Sequence, residues 1–206
     1  MEIRLFDEQE LESVLNLCNQ HMEFDRLSET LLREKLFDDP FFNPELIFTA
    51  YDAGQLIGFL AGVTRELPEG KVGYVKLMVV HSQFRRTGVG RALYQKLESE
   101  LVRLGMQKVR VYDVPFNYFV PGIDPRYTPA VAFFETLGFK RVGETANMMV
   151  DLENQDFPTA EQEEKLSRKG VEITRADYAD HQAIMKFVEQ HYPLWRYEVA
   201  NAYNSL

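Results

Sequence analysis

The stretch Met78-Val-Val-His-Ser-Gln-Phe-Arg-Arg-Thr-Gly-Val-Gly-Arg-Ala-Leu-Tyr94 decides the fold. Its apolar opening reads as a buried strand. Beyond it, Leu93, Leu97, Leu101 and Leu104 recur at spacings of three and four, so a helix opens at Gly88 and ends at Gly105. A strand therefore passes through a short turn into a helix, with glycines at 88 and 90. Glycine lets a ligand approach the backbone with no β-carbon in the way. The first-turn amides of a helix lack intrahelical partners, and the macrodipole places partial positive charge there. Arg85, Arg86 and Arg91 add three cations around the same turn. The sum is a site for a pyrophosphate-like anion. The spacing is neither that of the Gly-Lys-Ser/Thr phosphate loop nor that of the Gly-x-Gly-x-x-Gly dinucleotide turn.

Upstream, Glu2–Phe6 reads as a strand, and Asp7 with Glu10 forms a capping box for a helix whose stripe is Leu11, Val14, Leu15 and Cys18. A second helix starts at Ser28. Leu46–Tyr51 and Leu56–Thr64 form a hairpin around Asp52-Ala-Gly-Gln, and Pro68-Glu-Gly-Lys turns the chain into a strand over Val72–His81. Downstream, Lys108–Val114 is a strand and Pro115–Thr128 a loop carrying Phe116, Tyr118, Phe119 and Tyr127. A helix over Ala130–Leu137 follows, with Pro129 in its first turn. Phe139–Val142 and Met148–Leu152 are expected to close the domain as two strands. This order predicts an α/β (α+β) domain over residues 1–152, with a mixed, mostly antiparallel sheet flanked by helices. The polar run 153–170 reads as a linker. Val171–Arg175 and Asp177–Tyr192 then repeat the style of the first strand and helix, as a C-terminal strand–helix extension over 171–206.

The 206 residues carry a formal net charge of −9. That opposes nucleic-acid binding, which needs a basic face. No apolar run approaches the roughly 18 residues that span a membrane. A single cysteine, Cys18, excludes an internal disulfide and agrees with a cytoplasmic protein. The four histidines, His21, His81, His181 and His191, have no metal-ligand spacing, so no metal is expected.

Arg85-Arg86-Thr87-Gly88-Val89-Gly90 resembles the Arg/Gln-x-x-Gly-x-Gly/Ala signature of the GNAT acyltransferases. Ala130-Val-Ala-Phe-Phe-Glu-Thr-Leu-Gly-Phe139 is similar to that family's later helix. Pro115–Gly122 looks like the first module of bacterial tandem acetyltransferases, and 171–206 like the start of a second module.

The resemblance implies acetyl transfer from acetyl-coenzyme A, as cosubstrate, to a primary amine of a small molecule or peptide, by direct attack in a ternary complex. It assigns the pyrophosphate to Arg85, Arg86, Thr87, Gly88, Val89, Gly90 and Arg91. It assigns the pantetheine arm to the main chain of Met78, Val79 and Val80, the oxyanion to an N–H near Val80, and one cleft wall to Phe134. Two departures stand out. The family's usual acid, a tyrosine, falls on Phe134. The carboxylate often found before the glycine turn falls near Tyr74 or Lys76, while Glu66 and Glu69 lie on the hairpin alongside. Tyr112, Tyr118 and Tyr127 remain as acids, with Tyr118 and Tyr127 favoured because they sit in the long loop. The competing reading is a degenerate or regulatory module that binds coenzyme A without turnover. The C-terminal segment is too short to fold alone, so it is expected to dock, on its own module or in a homodimer.

Overall fold

The computed structural model describes residues 1–68, 70–153 and 156–204. Glu69, in the turn read at Pro68–Lys71, lies outside the described residues. So do Asn154 and Gln155, in the linker, and Ser205 and Leu206. The chain divides into two compact units, residues 1–143 and 144–206.

The first unit is built on a five-stranded sheet in the order β1-β2-β3-β4-β5: Glu2–Leu5, Ile47–Asp52, Gln55–Leu67, Gly70–Val80 and Lys108–Val111. The first four strands are antiparallel, and only β4 and β5 run parallel. One face carries α1 (Leu11–His21) and α2 (Glu29–Phe37), the other α3 (Val89–Arg103) and α4 (Thr128–Thr136). The capping box at Asp7 is formed in full, and the Ser28 side chain caps α2 by accepting from the Leu31 N–H. Gly105, just past α3, takes φ +75°, the left-handed conformation that ends a helix.

The leucine stripe of α3 packs on the sheet where three glycines make room. A β-carbon at Gly62 would lie 2.2 Å from Leu97 Cδ1, one at Gly73 2.6 Å from Leu101 Cδ1, and one at Gly58 2.9 Å from Leu93 Cδ1. The helix therefore sits close enough to the strands to bury Leu93, Leu97 and Leu101 almost completely. Gly62→Val is expected to destabilise the unit by about 3 kcal/mol, because overpacking a filled core forces backbone shifts. A urea midpoint unchanged from wild type would refute that packing.

β4 contains a bulge. Ala61 faces Leu77 and Gly62 faces Val75, so Lys76 is an extra residue that shifts the phase of the strand. Leu77 and Val79 consequently point into the core beneath α1 and α2, and Met78 and Val80 against the α3 core.

The two closing strands expected at Phe139–Val142 and Met148–Leu152 are not formed. Phe139 packs its ring on Phe134 and Tyr94, at 5.4 and 5.5 Å between centroids. Met148 and Met149 are 97% and 99% exposed. A strand is stabilised by ladder bonds and cross-strand side-chain pairs, and neither segment has a neighbouring strand among the described residues.

In the second unit, Val171–Arg175 likewise forms no strand, and Ile173 is exposed. The rest of the reading there corresponds more closely. The linker contains a helix, α5 (Ala160–Ser167). Asp177 and Asp180 form a capping box before α6 (His181–His191), and Val188 is buried. A further helix that the sequence did not signal, α7 (Arg196–Asn204), packs Tyr203 edge-on against His181.

Candidate active site

The bulge and the end of β5 together open a fork in the sheet. β5 follows β4 only as far as the Val75–Val111 pair; Tyr112 then takes φ +68° and the chain turns away. β4 runs on for five more residues. Its pairs with β3 alternate, so the N–H and C=O of Met78 and Val80 face away from β3, into the fork. Two side chains take those carbonyls. Tyr112 Oη–H donates to Met78 O at 3.3 Å, and Arg85 Nε–H to Val80 O at 3.1 Å.

The fork leads into the glycine turn. Gly88 caps α3 in the left-handed conformation, φ +96°, and the first turn of α3 has no acidic side chain to occupy its amides. A β-carbon at Gly90 would stand 3.1 Å from Met78 Cε and 3.4 Å from the Phe133 ring, so glycine lets β4 and α4 close on the helix start. Arg86 also takes a left-handed backbone, φ +66°.

A cavity of about 760 Å³ joins these features. Of the residues assigned to the cofactor, Met78, Val79, Val80, Arg85, Arg86, Gly88, Gly90, Arg91 and Phe134 line it. Thr87 and Val89 do not. The Thr87 hydroxyl donates to Phe84 O and shapes the turn, and Val89 is buried in the core. Arg85 is committed to main-chain carbonyls, its second bond going to His21 O at 2.8 Å, so it ties the end of α1 to the end of β4.

The other half of the cavity is formed by the α1–α2 connection and the long loop. His21, Met22, Phe24, Asp25, Leu27 and Leu31 face Phe119, Val120, Ile123 and Tyr127. These residues are mostly apolar, and no sequence signal marked the α1–α2 connection. Tyr127 bridges the two sides. Its hydroxyl accepts from the Phe24 N–H at 2.7 Å and faces Asp25, while its ring lies 4.9 Å from that of Phe24. The Arg126 guanidinium lies over the same phenyl ring, 4.0 Å from its centroid. Tyr118 is 44% exposed and does not line the cavity.

His21 lines the cavity too, and its Nδ1 accepts from the Ser82 N–H at 3.4 Å. Burial first, then His81 and Arg85, hold the ring below the usual histidine range, so His21 is neutral at pH 7. The His81 ring lies tilted against that of His21, 4.1 Å between centroids, but does not line the cavity. Burial pushes the Tyr112 phenol up, so its hydroxyl keeps its proton across the working range of pH. Burial also pushes the Cys18 thiol up to about 12, leaving no thiolate nucleophile.

Beneath the loop lies a cluster of buried charge. Asp39 accepts from Arg65 Nη2 at 2.7 Å and from Lys76 Nζ, and the three side chains are 1%, 1% and 3% exposed. Asn117 Oδ1 accepts from Lys76 Nζ at 2.7 Å, and Arg65 Nε–H donates to Pro115 O at 3.2 Å. The bulge residue Lys76 and the first residues of the loop are thereby held to the end of α2.

The model of the acetyltransferase (GNAT) family matches residues 9–139. A mycothiol acetyltransferase from Thermobispora bispora is 33% identical over 106 residues, covering 50% of this chain and 32% of that protein. Acetyltransferase plu1384 from Photorhabdus laumondii is 30% identical over 114 residues, 53% of this chain and 72% of that protein. The chain thus spans only about a third of the mycothiol acetyltransferase it matches. Among solved structures, the GCN5-related glucosamine N-acetyltransferase region of a fungal multi-domain GH3 beta-N-acetylglucosaminidase superposes with a TM-score of 0.76 at 18% identity. It covers 97% of this chain and 24% of that one. Ard1 from Thermoplasma volcanium gives 0.56 at 23% identity, covering 69% and 84%. At such identities the likeness is one of fold.

Proposed function

Because the chain belongs to the acetyltransferase (GNAT) family, we propose that it transfers an acetyl group from acetyl-coenzyme A to a primary amine by direct attack in a ternary complex. The observation that carries this reading is the continuity of the anion-suited head of α3 with the open edge of β4. The cosubstrate supplies an activated thioester. Arg86, Arg91 and the amides of Gly88 to Arg91 suit its pyrophosphate. The outward N–H groups of Met78 and Val80 suit the arm and the negative charge that develops on the acyl oxygen at its end. Phe134 walls the cleft and can hand over no proton.

Cys18 is buried in the core and does not line the cavity, so it offers no acyl-enzyme nucleophile there. Of the two loop tyrosines expected to act as acids, Tyr127 lies in the cleft, and its engaged hydroxyl suits it to hold the α1–α2 connection over the acceptor. The apolar and aromatic lining of that half favours an acceptor with an apolar body beside its amine, whether small molecule or peptide end. We read residues 171–206 as the opening of a second, similar module.

The test has two parts. Calorimetry is expected to show coenzyme A binding that needs no metal. A panel of amines, incubated with acetyl-coenzyme A, is expected to release free thiol in stoichiometric proportion to acetylated product. Binding without thiol release on any amine would favour the degenerate-module alternative, for which the phenylalanine at 134 speaks. No binding would remove both readings.

A further inference from the structure

The fork holds one hydroxyl whose place in the reaction no motif assigns. Tyr112 sits where β5 leaves β4, in a left-handed backbone conformation that a bulky residue adopts only under constraint. Its ring lines the cavity beside Met78, Val79 and Val80, and its hydroxyl reaches Met78 O at 3.3 Å, a long hydrogen bond that is easily exchanged. An arm anchored at the head of α3 and extended along the edge of β4 passes Val80 first. Two residues further on, about 7 Å at the rise of a strand, it reaches Met78 and the end of the fork. We place its sulfur at that end, where the Tyr112 hydroxyl donates.

We propose that Tyr112 donates its hydroxyl hydrogen bond to the departing sulfur of acetyl-coenzyme A. The inference rests on the acetyltransfer reading and adds a residue to it. As the amine nitrogen bonds to the carbonyl carbon, the carbon–sulfur bond breaks and its electron pair stays on sulfur. The amine releases its proton to water, and the thiolate leaves carrying the hydrogen bond from Tyr112. A donor already aimed at this point stabilises charge that exists only late in the reaction, which is how a fixed dipole accelerates it. A phenol raised by burial suits the task, since it remains a donor while the sulfur is an anion. Tyr127 is less suited, because the Phe24 amide and Asp25 already engage its hydroxyl.

The experiment needs no acceptor. Coenzyme A itself is the probe, and its thiol is titrated on the protein by thiolate absorbance against an identical sample holding desulfo-coenzyme A. Cys18 is silent below about pH 10 because burial holds its thiol at about 12. The bound thiol is expected to ionise at least one pH unit below the free one, which is a tenfold preference for thiolate. Tyr112→Phe should retain coenzyme A affinity within about threefold and lose that shift, while Tyr127→Phe should keep it. An unshifted thiol in wild type, or a shift that survives Tyr112→Phe or vanishes in Tyr127→Phe alone, overturns the assignment. If Tyr112→Phe does not fold, wild type decides alone. The Kd of desulfo-coenzyme A divided by that of coenzyme A should rise severalfold from pH 7 to 9, and a constant ratio overturns the proposal. Failure of both ligands to bind strikes at the acetyltransfer reading instead.

Discussion

Gly88→Glu is expected to weaken coenzyme A binding by on the order of 10²-fold or more while leaving the protein folded. The two halves of that expectation have separate causes. Nothing lies within 4 Å of a β-carbon built at Gly88 apart from its own turn, so the substitution starts in open space. The residue must still hold φ +96°, which costs an L-residue about 1–2 kcal/mol. A carboxylate at a helix N-terminus recovers part of that through the macrodipole. For the ligand the same carboxylate is wholly adverse, because it occupies the amides that would receive the pyrophosphate and neutralises part of the field of Arg86 and Arg91. Gly88→Ala separates the two effects. It carries the backbone strain without the charge and should lose less than about tenfold. Calorimetry with coenzyme A on both folded variants decides the matter. Equal affinities for wild type and Gly88→Glu would remove the helix head from the site.

That turn was legible in the sequence because its evidence is local. Two glycines, three arginines and a leucine stripe lie within a single strand–turn–helix, and each has a meaning that does not depend on distant residues. The capping boxes at Asp7 and Asp177 were legible for the same reason. What failed was non-local. Phe139–Val142, Met148–Leu152 and Val171–Arg175 are short segments with apolar or β-branched residues, but a strand exists only beside another strand. Tyr127 and its loop were singled out in the sequence, but the α1–α2 connection that they meet was not, because Phe24 and Tyr127 are 103 residues apart and Phe24 belongs to no motif. Tyr112 was considered as an acid but set behind Tyr118 and Tyr127. Its position depends on where β5 parts from β4, and that depends on the bulge at Lys76, which β4's apolar run conceals.

Lys76 belongs to the cluster whose disruption should cost the most stability. Asp39→Ala is expected to destabilise the first unit by about 3–5 kcal/mol, since it leaves two buried cations, Arg65 and Lys76, without their counter-charge. Burial opposes the Asp39 carboxylate, but Lys76 and Arg65 outweigh it and hold the group below its usual range. Its contribution is therefore present at neutral pH and is lost only in acid. Lys76→Met leaves the Asp39–Arg65 pair intact and should cost about 1 kcal/mol or less at pH 7.

The two variants differ further in alkali. Burial lowers Lys76 to about 8, from 10.5 when unfolded, against the opposing pull of Asp39. Between those values the unfolded chain binds the extra proton, so stability should rise with pH, by roughly 1–2 kcal/mol from pH 7.5 to 9.5. Urea unfolding monitored at both pH values should show that rise in wild type and not in Lys76→Met. A fall in wild type, or the same rise in Lys76→Met, would contradict the assignment to Lys76. Because Arg65 and Lys76 also hold Pro115 and Asn117, Asp39→Ala should loosen the loop that carries Phe119 and Tyr127 into the cleft. Amide exchange across residues 116–124 should then quicken in Asp39→Ala well below the denaturant concentration at which the sheet unfolds.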